Sequence, residues 1–372
     1  MQKPLEYFQD KTENVLLLKK CLYGLKQLGR EWYKCLLKAL QSMGFKKSSS
    51  DAAVFYWNTA KEFTIIRVAI DDLTITAANK DILHGVKKDL ENIFNMKDLG
   101  EIHWLLNLKI DWNKQAGMIS ISQEAYIDSI LERFNLQDAK IYSSPLDPNT
   151  KLSKDQCLNM TEDKKKMEKV PYRQAIGSLM WAAVATWPDI AFAVSFLSQF
   201  LENPGEIHWN ATKRVFKYLK GTKNRKLTLG KSRDGIIGYS DADWASQDHR
   251  HSISAYIFQI NSGSISWSCQ KQLIIALSST EVKFIAMMHA AKEAIWLHHF
   301  IIKVFQPLHL PLQIYSDNQS AITIAYGNQM HARTKHFDIR LYFIRNTIEN
   351  NKINFEYLPT EHMLADILSK AL

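Results

Sequence analysis

Two adjacent aspartates, Asp71 and Asp72, separate two apolar segments in the first quarter of the chain. Residues 63–70 before them are mostly apolar, and residues 73–77 after them again alternate threonine with apolar side chains. β-Branched runs separated by a short polar turn favour an antiparallel hairpin. The pattern therefore predicts a strand, an acidic turn and a second strand, with both carboxylates at one end. An ordinary Asp-rich turn without chemistry is the alternative.

Three further aspartates follow or lie within separate elements of the C-terminal half, at Asp241, Asp317 and Asp366. Carboxylates that a fold gathers from distant elements repel one another unless Mg²⁺ or a proton compensates them. Two metal ions held by carboxylates stabilise both attack and departure in phosphodiester chemistry. The two acidic groups therefore favour a polymerase joined to a nuclease.

The composition bounds the class of protein. With 372 residues, 46% of them hydrophobic, the chain is long enough for two or three domains. Its 47 Lys and Arg exceed its 38 Asp and Glu, and the net charge of +9 favours a polyanionic partner. The four cysteines lie far apart, so neither a disulfide framework nor a zinc site is indicated. We expect an intracellular protein (cytoplasm or nucleus) that is not secreted.

One stretch, residues 175–201, is almost free of charge. Pro188 and Asp189 divide it into two pieces that are each too short to span a bilayer. We interpret it as two buried amphipathic helices, with a membrane hairpin as the alternative, and we expect no membrane partner.

The remaining periodicities give an order of elements. The first half reads as a helix at 22–40 ended by Gly44, the hairpin, a helix at 81–94, extended segments at 102–111 and 118–121, and a helix at 124–134. A proline-containing and charged stretch at 143–171 reads as a linker. Helices at 172–220 follow, then strands at 227–229, 236–239, 254–260, 265–268 and 312–315, with a long helix at 280–305.

Ordered motifs along the whole chain resemble one family. They are LYGLKQLGREWY at 22–33, NMKDLGE at 95–101, PYRQAIGSLM at 171–180, PDIAFAV at 188–194, YSDADWA at 239–245, ALSST at 276–280, IYSDNQSA at 314–321, RTKH at 333–336 and LADI at 364–367. In this order they are similar to the reverse transcriptase and ribonuclease H of copia-type LTR retrotransposon Pol polyproteins.

The resemblance implies an α+β architecture. Residues 1–145 would form part of a reverse transcriptase palm and thumb, and residues 146–225 a linker and helical connection. Residues 226–372 would form an α/β ribonuclease H-like domain with a mixed five-stranded sheet. The chain would be the C-terminal part of a truncated Pol copy.

For the polymerase, the resemblance implies that Asp71 and Asp72 are catalytic metal ligands. The family's third aspartate lies upstream of the segment where this chain begins, so we expect nucleotide transfer to fail in this chain alone. Lys26 and Arg30 would lie near the incoming phosphates, with a solvated helix face as the alternative. Gly29 replaces a family proline there, and Ala69 and Ile70 replace a Tyr-Val pair.

For the nuclease, the resemblance implies that Asp241, Asp317 and Asp366 are catalytic ligands of two Mg²⁺ (or Mn²⁺) ions. The alternative for Asp317 is an N-cap of the helix that starts near Asn318.

The fourth carboxylate of this family site is replaced here, since the second glutamate of the family's helix motif corresponds to Lys283. Glu281 does not substitute for it, because residues i and i+2 point about 200° apart around a helix. Ser278 and Glu281 instead form a capping box that directs Glu281 towards the helix start. At ~4 Å and an effective dielectric near 20, each unit charge pair is worth about 4 kcal/mol, enough to displace a metal. We therefore expect strongly impaired hydrolysis.

The partners implied are an RNA–DNA hybrid, an RNA template, a DNA primer and dNTPs. Arg333, Lys335 and His336 form a basic cluster suited to a nucleic-acid backbone, with a solvated face as the alternative. Two rival interpretations stay open: a nucleic-acid-binding remnant without catalysis, and a pseudogene product. The oligomeric state does not follow from the sequence.

Overall fold

The computed structural model describes residues 18, 22, 24–59, 61–150, 152–157, 165, 167–230, 232, 235–246, 250–305, 311–327 and 338–371. The chain divides into two units. One comprises Met1–Gly100 with His299–Pro307, and the other comprises Glu101–His298 with Leu308–Leu372.

An antiparallel sheet and two helices form the first unit. The elements are α1 (Leu28–Ser42), β1 (Lys46–Lys47), β2 (Val54–Asn58), β3 (Phe63–Ala69), β4 (Asp72–Ala77) and α2 (Lys80–Ile93). The strands pair in the order β1-β2-β3-β4. Alternate residues of β3 are buried, as a strand with one face on a core requires. Leu36 and Leu40 of α1 pack with Phe55 and Ile66 in this core.

Helix α1 starts six residues later than predicted. Gly24 has φ +94°, outside the helical region, and the regular helix begins only at Leu28. The predicted stop is confirmed, because Gly44 has φ +88° directly after the last turn.

The second unit opens with another antiparallel sheet and a helical layer. The strands are β5 (Trp104–Leu105), β6 (Leu108–Asn113), β7 (Met118–Ser122) and β8 (Leu227–Leu229), and the helices are α3 (Glu124–Arg133), α4 (Tyr172–Ala185), α5 (Ala191–Ser198) and α6 (Glu206–Thr222). The helices share one apolar core that includes Ile127, Leu179 and Phe216. Leu146 and Leu152, in the segment predicted to be a linker, are buried in the same core.

A mixed five-stranded sheet follows in the second unit. The strands and helices of this part are β9 (Ile236–Asp243), β10 (Ile253–Ile260), β11 (Gly263–Lys271), α7 (Ser279–Val304), β12 (Leu312–Ser316), α8 (Gln319–Tyr326), α9 (Asp338–Glu349) and β13 (Ile353–Tyr357). The end of α7, from His299 onward, is counted with the first unit. The strand order is β11-β10-β9-β12-β13. The first three strands are antiparallel, whereas β12 runs parallel to both β9 and β13. The predicted mixed sheet of five strands is confirmed.

Two details of that sheet differ from the expectation. The strand at 227–229 has the predicted limits, but it pairs with β7 instead of joining the five-stranded sheet. The fifth strand is β13, whose alternating Ile353 and Phe355 carry the period-two signal of a strand that the prediction overlooked. The predicted domain boundaries stay predictions.

The uncharged stretch at 175–201 forms α4 and α5, which confirms the two buried helices. No helix in the part of the chain that the structure describes is long and apolar enough to cross a membrane.

Candidate functional site

Asp241 and Asp317 are neighbours because of the parallel pairing of β9 with β12. Ser240 of β9 lies opposite Ser316 of β12, so the next residue of each chain segment is an aspartate at the same edge of the sheet. Asp241 still belongs to β9, and Asp317 follows β12 directly. Asn318, not Asp317, caps α8, since its side chain accepts a hydrogen bond from the Ala321 N–H.

The Lys283 ammonium lies between these two carboxylates. Its Nζ is 2.5 Å from Oδ1 of Asp241 and 2.7 and 2.8 Å from the two carboxylate oxygens of Asp317. The Lys283 side chain is 15% exposed, and those of Asp241 and Asp317 are 2% and 9% exposed. An ammonium has three N–H donors, which equals the number of short contacts. One lysine therefore bridges both carboxylates in a shielded position.

Burial and charge act against each other in this cluster. Burial is the largest effect on the Asp241 carboxyl and raises its pKa above the ordinary value, against the opposing influence of Lys283. Burial would lower the pKa of the Lys283 ammonium, but Asp241 and Asp317 together outweigh it and raise that pKa. The lysine is thus held in its charged form.

Glu281 lies at the start of α7, as predicted. The Ser278 hydroxyl accepts from the Glu281 N–H at 3.2 Å, and the Glu281 carboxylate accepts from the Leu277 N–H at 2.8 Å. The capping arrangement is confirmed, with Leu277 rather than Ser278 as the backbone donor. The Glu281 carboxylate is therefore turned towards the helix start.

Asp366 lies in a short 3-10 turn, Leu364–Leu368, and pairs with Lys370 at 2.8 Å. The hydrogen bond with Asp366 is the main cause that raises the pKa of Lys370, and the charges of Asp241 and Asp243 act in the same direction. Asp366 therefore lies beside the cluster of Asp241, Asp317 and Lys283, and it has a cation of its own. These residues together with Lys370 are called the acidic pocket below. Lys370 was missed at the sequence level, although its spacing of four residues from Asp366 is a recognisable ion-pair signal.

A divalent ion does not fit between Asp241 and Asp317 as they are arranged, because the Lys283 ammonium holds that position. Thr360 adds a hydrogen bond from its hydroxyl to Oδ2 of Asp317 at 3.0 Å. Among the described residues, no group of three or more His, Cys, Asp or Glu side chains is placed to hold a metal ion.

The acidic pair of the first unit lies on a two-residue hairpin. Ala69 pairs with Asp72, so the loop residues are Ile70 and Asp71, and Asp72 already belongs to β4. Ile70 has φ +58° and is 81% exposed, although a β-branched residue rarely adopts positive φ. Its carbonyl accepts a hydrogen bond from Trp32 Nε1 at 2.9 Å. Asp71 and Asp72 are exposed, and the strand–turn–strand prediction is confirmed with the turn one residue earlier.

The basic residues predicted to contact phosphates divide into two groups. Lys26 precedes α1 and Arg30 lies in its first turn, and both are exposed. Arg333, Lys335 and His336 lie outside the described residues.

Comparisons with known proteins agree with the motif order. A family model described as "Reverse transcriptase (RNA-dependent DNA polymerase)" matches residues 1–148. The chain is 40% identical over 367 residues to the retrovirus-related Pol polyprotein from transposon TNT 1-94 of Nicotiana tabacum, covering 97% of this chain and 27% of that protein. It is 35% identical over 366 residues to the corresponding polyprotein from transposon RE1 of Arabidopsis thaliana, covering 98% of this chain and 24% of that protein.

The chain thus spans about a quarter of the length of these relatives. Among solved structures, a ribonuclease H1 named LC11-RNase H1, in complex with an RNA/DNA hybrid, is similar to 36% of this chain over 93% of its own. The identity is 14% and the TM-score 0.29, a score too low to carry an argument. The sequence identity over nearly the whole chain decides the family: this chain belongs to the retrovirus-related Pol polyproteins of copia-type transposons.

Proposed function

We propose that this chain is the reverse transcriptase and ribonuclease H-like portion of a copia-type Pol polyprotein in which RNA hydrolysis is lost. The observation that carries the proposal is the Lys283 ammonium between Asp241 and Asp317, with contacts of 2.5 to 2.8 Å. In the family, synthesis of DNA on an RNA template is followed by hydrolysis of the RNA in the hybrid.

The charge of the pocket supports this loss. Asp241, Asp317 and Asp366 would be the ligands of Mg²⁺ or Mn²⁺, which in such sites activates water and stabilises the leaving oxygen. Lys283 supplies a positive charge where the family supplies a negative one. Two unit charges ~4 Å apart interact by about 4 kcal/mol at an effective dielectric near 20, and a divalent ion doubles that repulsion. A metal ion therefore competes poorly with the lysine that already occupies the pocket.

Hydrolysis of a labelled RNA–DNA hybrid tests the proposal. We expect the wild-type chain to release RNA fragments in Mg²⁺ or Mn²⁺ no faster than the protein-free control. Lys283→Glu should exceed that background rate at least about tenfold, since the carboxylate removes the repulsion between lysine and metal. The double variant Lys283→Glu with Asp241→Asn separates this gain from a contaminating nuclease and should be inactive. Hydrolysis by the wild type at a rate unchanged by Lys283→Glu contradicts the proposal.

For the polymerase half we propose that Asp71 and Asp72 are ligands of divalent ions in a site whose family partners are an RNA template, a DNA primer and dNTPs. One turn of carboxylates does not hold two metals in line, so we expect no nucleotide transfer by this chain alone. Their place at an exposed hairpin loop supports this, because both side chains are accessible from solvent. Lys26 and Arg30, exposed at the start of α1, would meet the phosphates. Trp32, two residues after Arg30, fixes the start of α1 against the loop through the Ile70 carbonyl.

A second candidate function, nucleic-acid binding without hydrolysis, is favoured by a basic and aromatic surface on α6. Lys213 lies 5.9 Å from the ring centroid of Trp209, and Arg214 and Lys217 lie 4.6 and 5.4 Å from that of Tyr142. Cations beside partly exposed rings suit the backbone and the bases of a nucleic acid. This α6 surface, defined as Tyr142, Trp209, Lys213, Arg214 and Lys217, needs no metal to bind a hybrid.

A further inference from the structure

Lys283 connects three elements of the second unit through a single nitrogen atom. The lysine belongs to α7, Asp241 to β9, and Asp317 to the segment that follows β12. All three contacts of Nζ are between 2.5 and 2.8 Å long. They are charge-assisted hydrogen bonds, the strong class of such bonds. The carboxylate edge of the sheet is therefore joined to the long helix at the point where the family site gathers its metal.

Two nearly buried carboxylates, one on β9 and one directly after β12, require a compensating cation. Asp241 is 2% exposed and the Asp317 side chain 9%, so water screens their mutual repulsion poorly. In a metal-dependent site the divalent ion supplies the compensation. Here the protein supplies it twice, with Lys283 for Asp241 and Asp317, and with Lys370 for Asp366 at 2.8 Å.

We propose that Lys283 is a built-in cation. Its ammonium occupies the space between the Asp241 and Asp317 carboxylates, so this pocket needs no divalent ion for its stability. The inference rests on the proposed function for the identity of the pocket. It goes further in stating that the pocket does not bind Mg²⁺ or Mn²⁺, and that the second unit is stabilised by the lysine instead. A pocket that binds a metal ion in the wrong position would also be inactive, but it would contradict this inference.

Without the charge of Lys283, the second unit should depend on a divalent ion for its stability. In Lys283→Met the two carboxylates stay close together without a cation, so the unit is destabilised and gains stability when Mg²⁺ or Mn²⁺ is added. In Lys283→Glu a third carboxylate joins the pocket, and we expect that variant to bind Mn²⁺ at least about tenfold more tightly than the wild type. Lys292→Met is the matched control, because Lys292 is exposed on the same helix.

The experiment measures thermal unfolding and Mn²⁺ binding of the full chain, the latter by electron paramagnetic resonance of the free ion. Every chain compared carries Asp71→Asn and Asp72→Asn, which removes the proposed polymerase ligands, and wild type here refers to position 283 alone. We expect Mg²⁺ to leave the wild-type Tm unchanged, and Lys283→Met to lower the Tm by about 10 °C, since breaking a buried pair is strongly destabilising. Added Mn²⁺ should restore part of that loss. Lys292→Met should stay within about 2 °C of the wild type with and without metal.

Two results overturn the inference. One is Mn²⁺ binding by the wild type as tight as by Lys283→Glu, which is measured on the wild type even if a variant fails to fold. The other is a Lys283→Met variant as stable as the wild type without metal. Either result leaves the proposed loss of hydrolysis standing, whereas hybrid hydrolysis by the wild type, with no Mn²⁺ bound between Asp241 and Asp317, refutes the proposed function alone.

Discussion

At the scale of single residues, the chemistry of the second unit depends on where positive charges lie. Lys283 pairs with two of the aspartates that the family resemblance assigns to metal, and Lys370 pairs with the third. By the resemblance, the family has a carboxylate where this chain has Lys283, and the ammonium here joins Asp241 and Asp317 in an internal ion-pair cluster. Such a pair is costly to break, because removal of one partner leaves the other buried without compensation.

His289, which lies on α7 like Lys283, should make the stability of the protein depend on pH without involving the acidic pocket. Burial lowers the pKa of His289 to about 4, and the positive charges of Lys292 and Arg340 act in the same direction. Gln270 lies with its side-chain nitrogen 2.7 Å from Nδ1, and an amide nitrogen only donates, so that ring nitrogen must accept and be unprotonated.

Stability should therefore fall as the pH drops through the window between pH 6.5, the ordinary value, and about 4. In that window the unfolded chain binds a proton that the folded chain does not, so the free energy of unfolding decreases by at most about 1.4 kcal/mol per pH unit. His289→Gln should flatten this slope when urea denaturation is followed from about pH 4.5 to about pH 7. His362→Gln, at an exposed histidine, is the control, and an equal effect of both substitutions would contradict the assignment to His289.

At the scale of elements, β9 is the strand whose position decides the pocket. It lies between β10 and β12 in the middle of the sheet and carries Asp241 near its end. Gly238, three residues before Asp241, lies against the ring of Phe258, a fully buried side chain of β10. A Cβ at Gly238 would be only 2.4 Å from that ring, so the close approach of the two strands requires a glycine.

Gly238→Ala should therefore destabilise the second unit by roughly 1–3 kcal/mol, because a methyl group forced into a packed core displaces its neighbours. Gly235→Ala is the matched control one residue before the same strand, since nothing lies within 4 Å of a Cβ there. Denaturant unfolding of both variants measures the difference. Equal midpoints for the two variants would show that the Phe258 ring yields without cost.

The same strands show how far sequence reasoning reaches. Period-two alternation located β8 with its limits, because that pattern is local, but its partner β7 lies more than a hundred residues away in the chain. The hairpin at Asp71 was predicted because its turn and both strands are contiguous. The resemblance indicates that Lys283 stands where the family has a glutamate. That its ammonium bonds to both aspartates does not follow from the sequence, because it depends on the parallel register of β9 and β12. Long-range pairing of this kind is not encoded in any single segment.

At the scale of the whole molecule, the net charge agrees with the nucleic-acid partner proposed above. The chain matches the transposon Pol polyproteins over 97% and 98% of its length, and it carries a net charge of +9. Lys283 and Lys370 offset two of the three aspartate charges of the acidic pocket, so its carboxylates repel a nucleic acid less than the same site would without cations. Binding without hydrolysis is therefore physically consistent with the fold.

The salt dependence of hybrid binding tests that consequence on the intact chain. Each lysine that meets a phosphate releases a counterion, so we expect Lys217→Ala to reduce the slope of log K against log salt by about 0.9. Lys226→Ala is the matched control, because Lys226 is already paired with Asp111 at 2.6 Å and has less charge to offer a phosphate. Fluorescence anisotropy with a labelled RNA–DNA hybrid, in a buffer that contains EDTA, measures both slopes. Equal slopes for the two variants would remove the α6 surface from the binding site, and binding that vanishes in EDTA would show that the hybrid is held through metal after all.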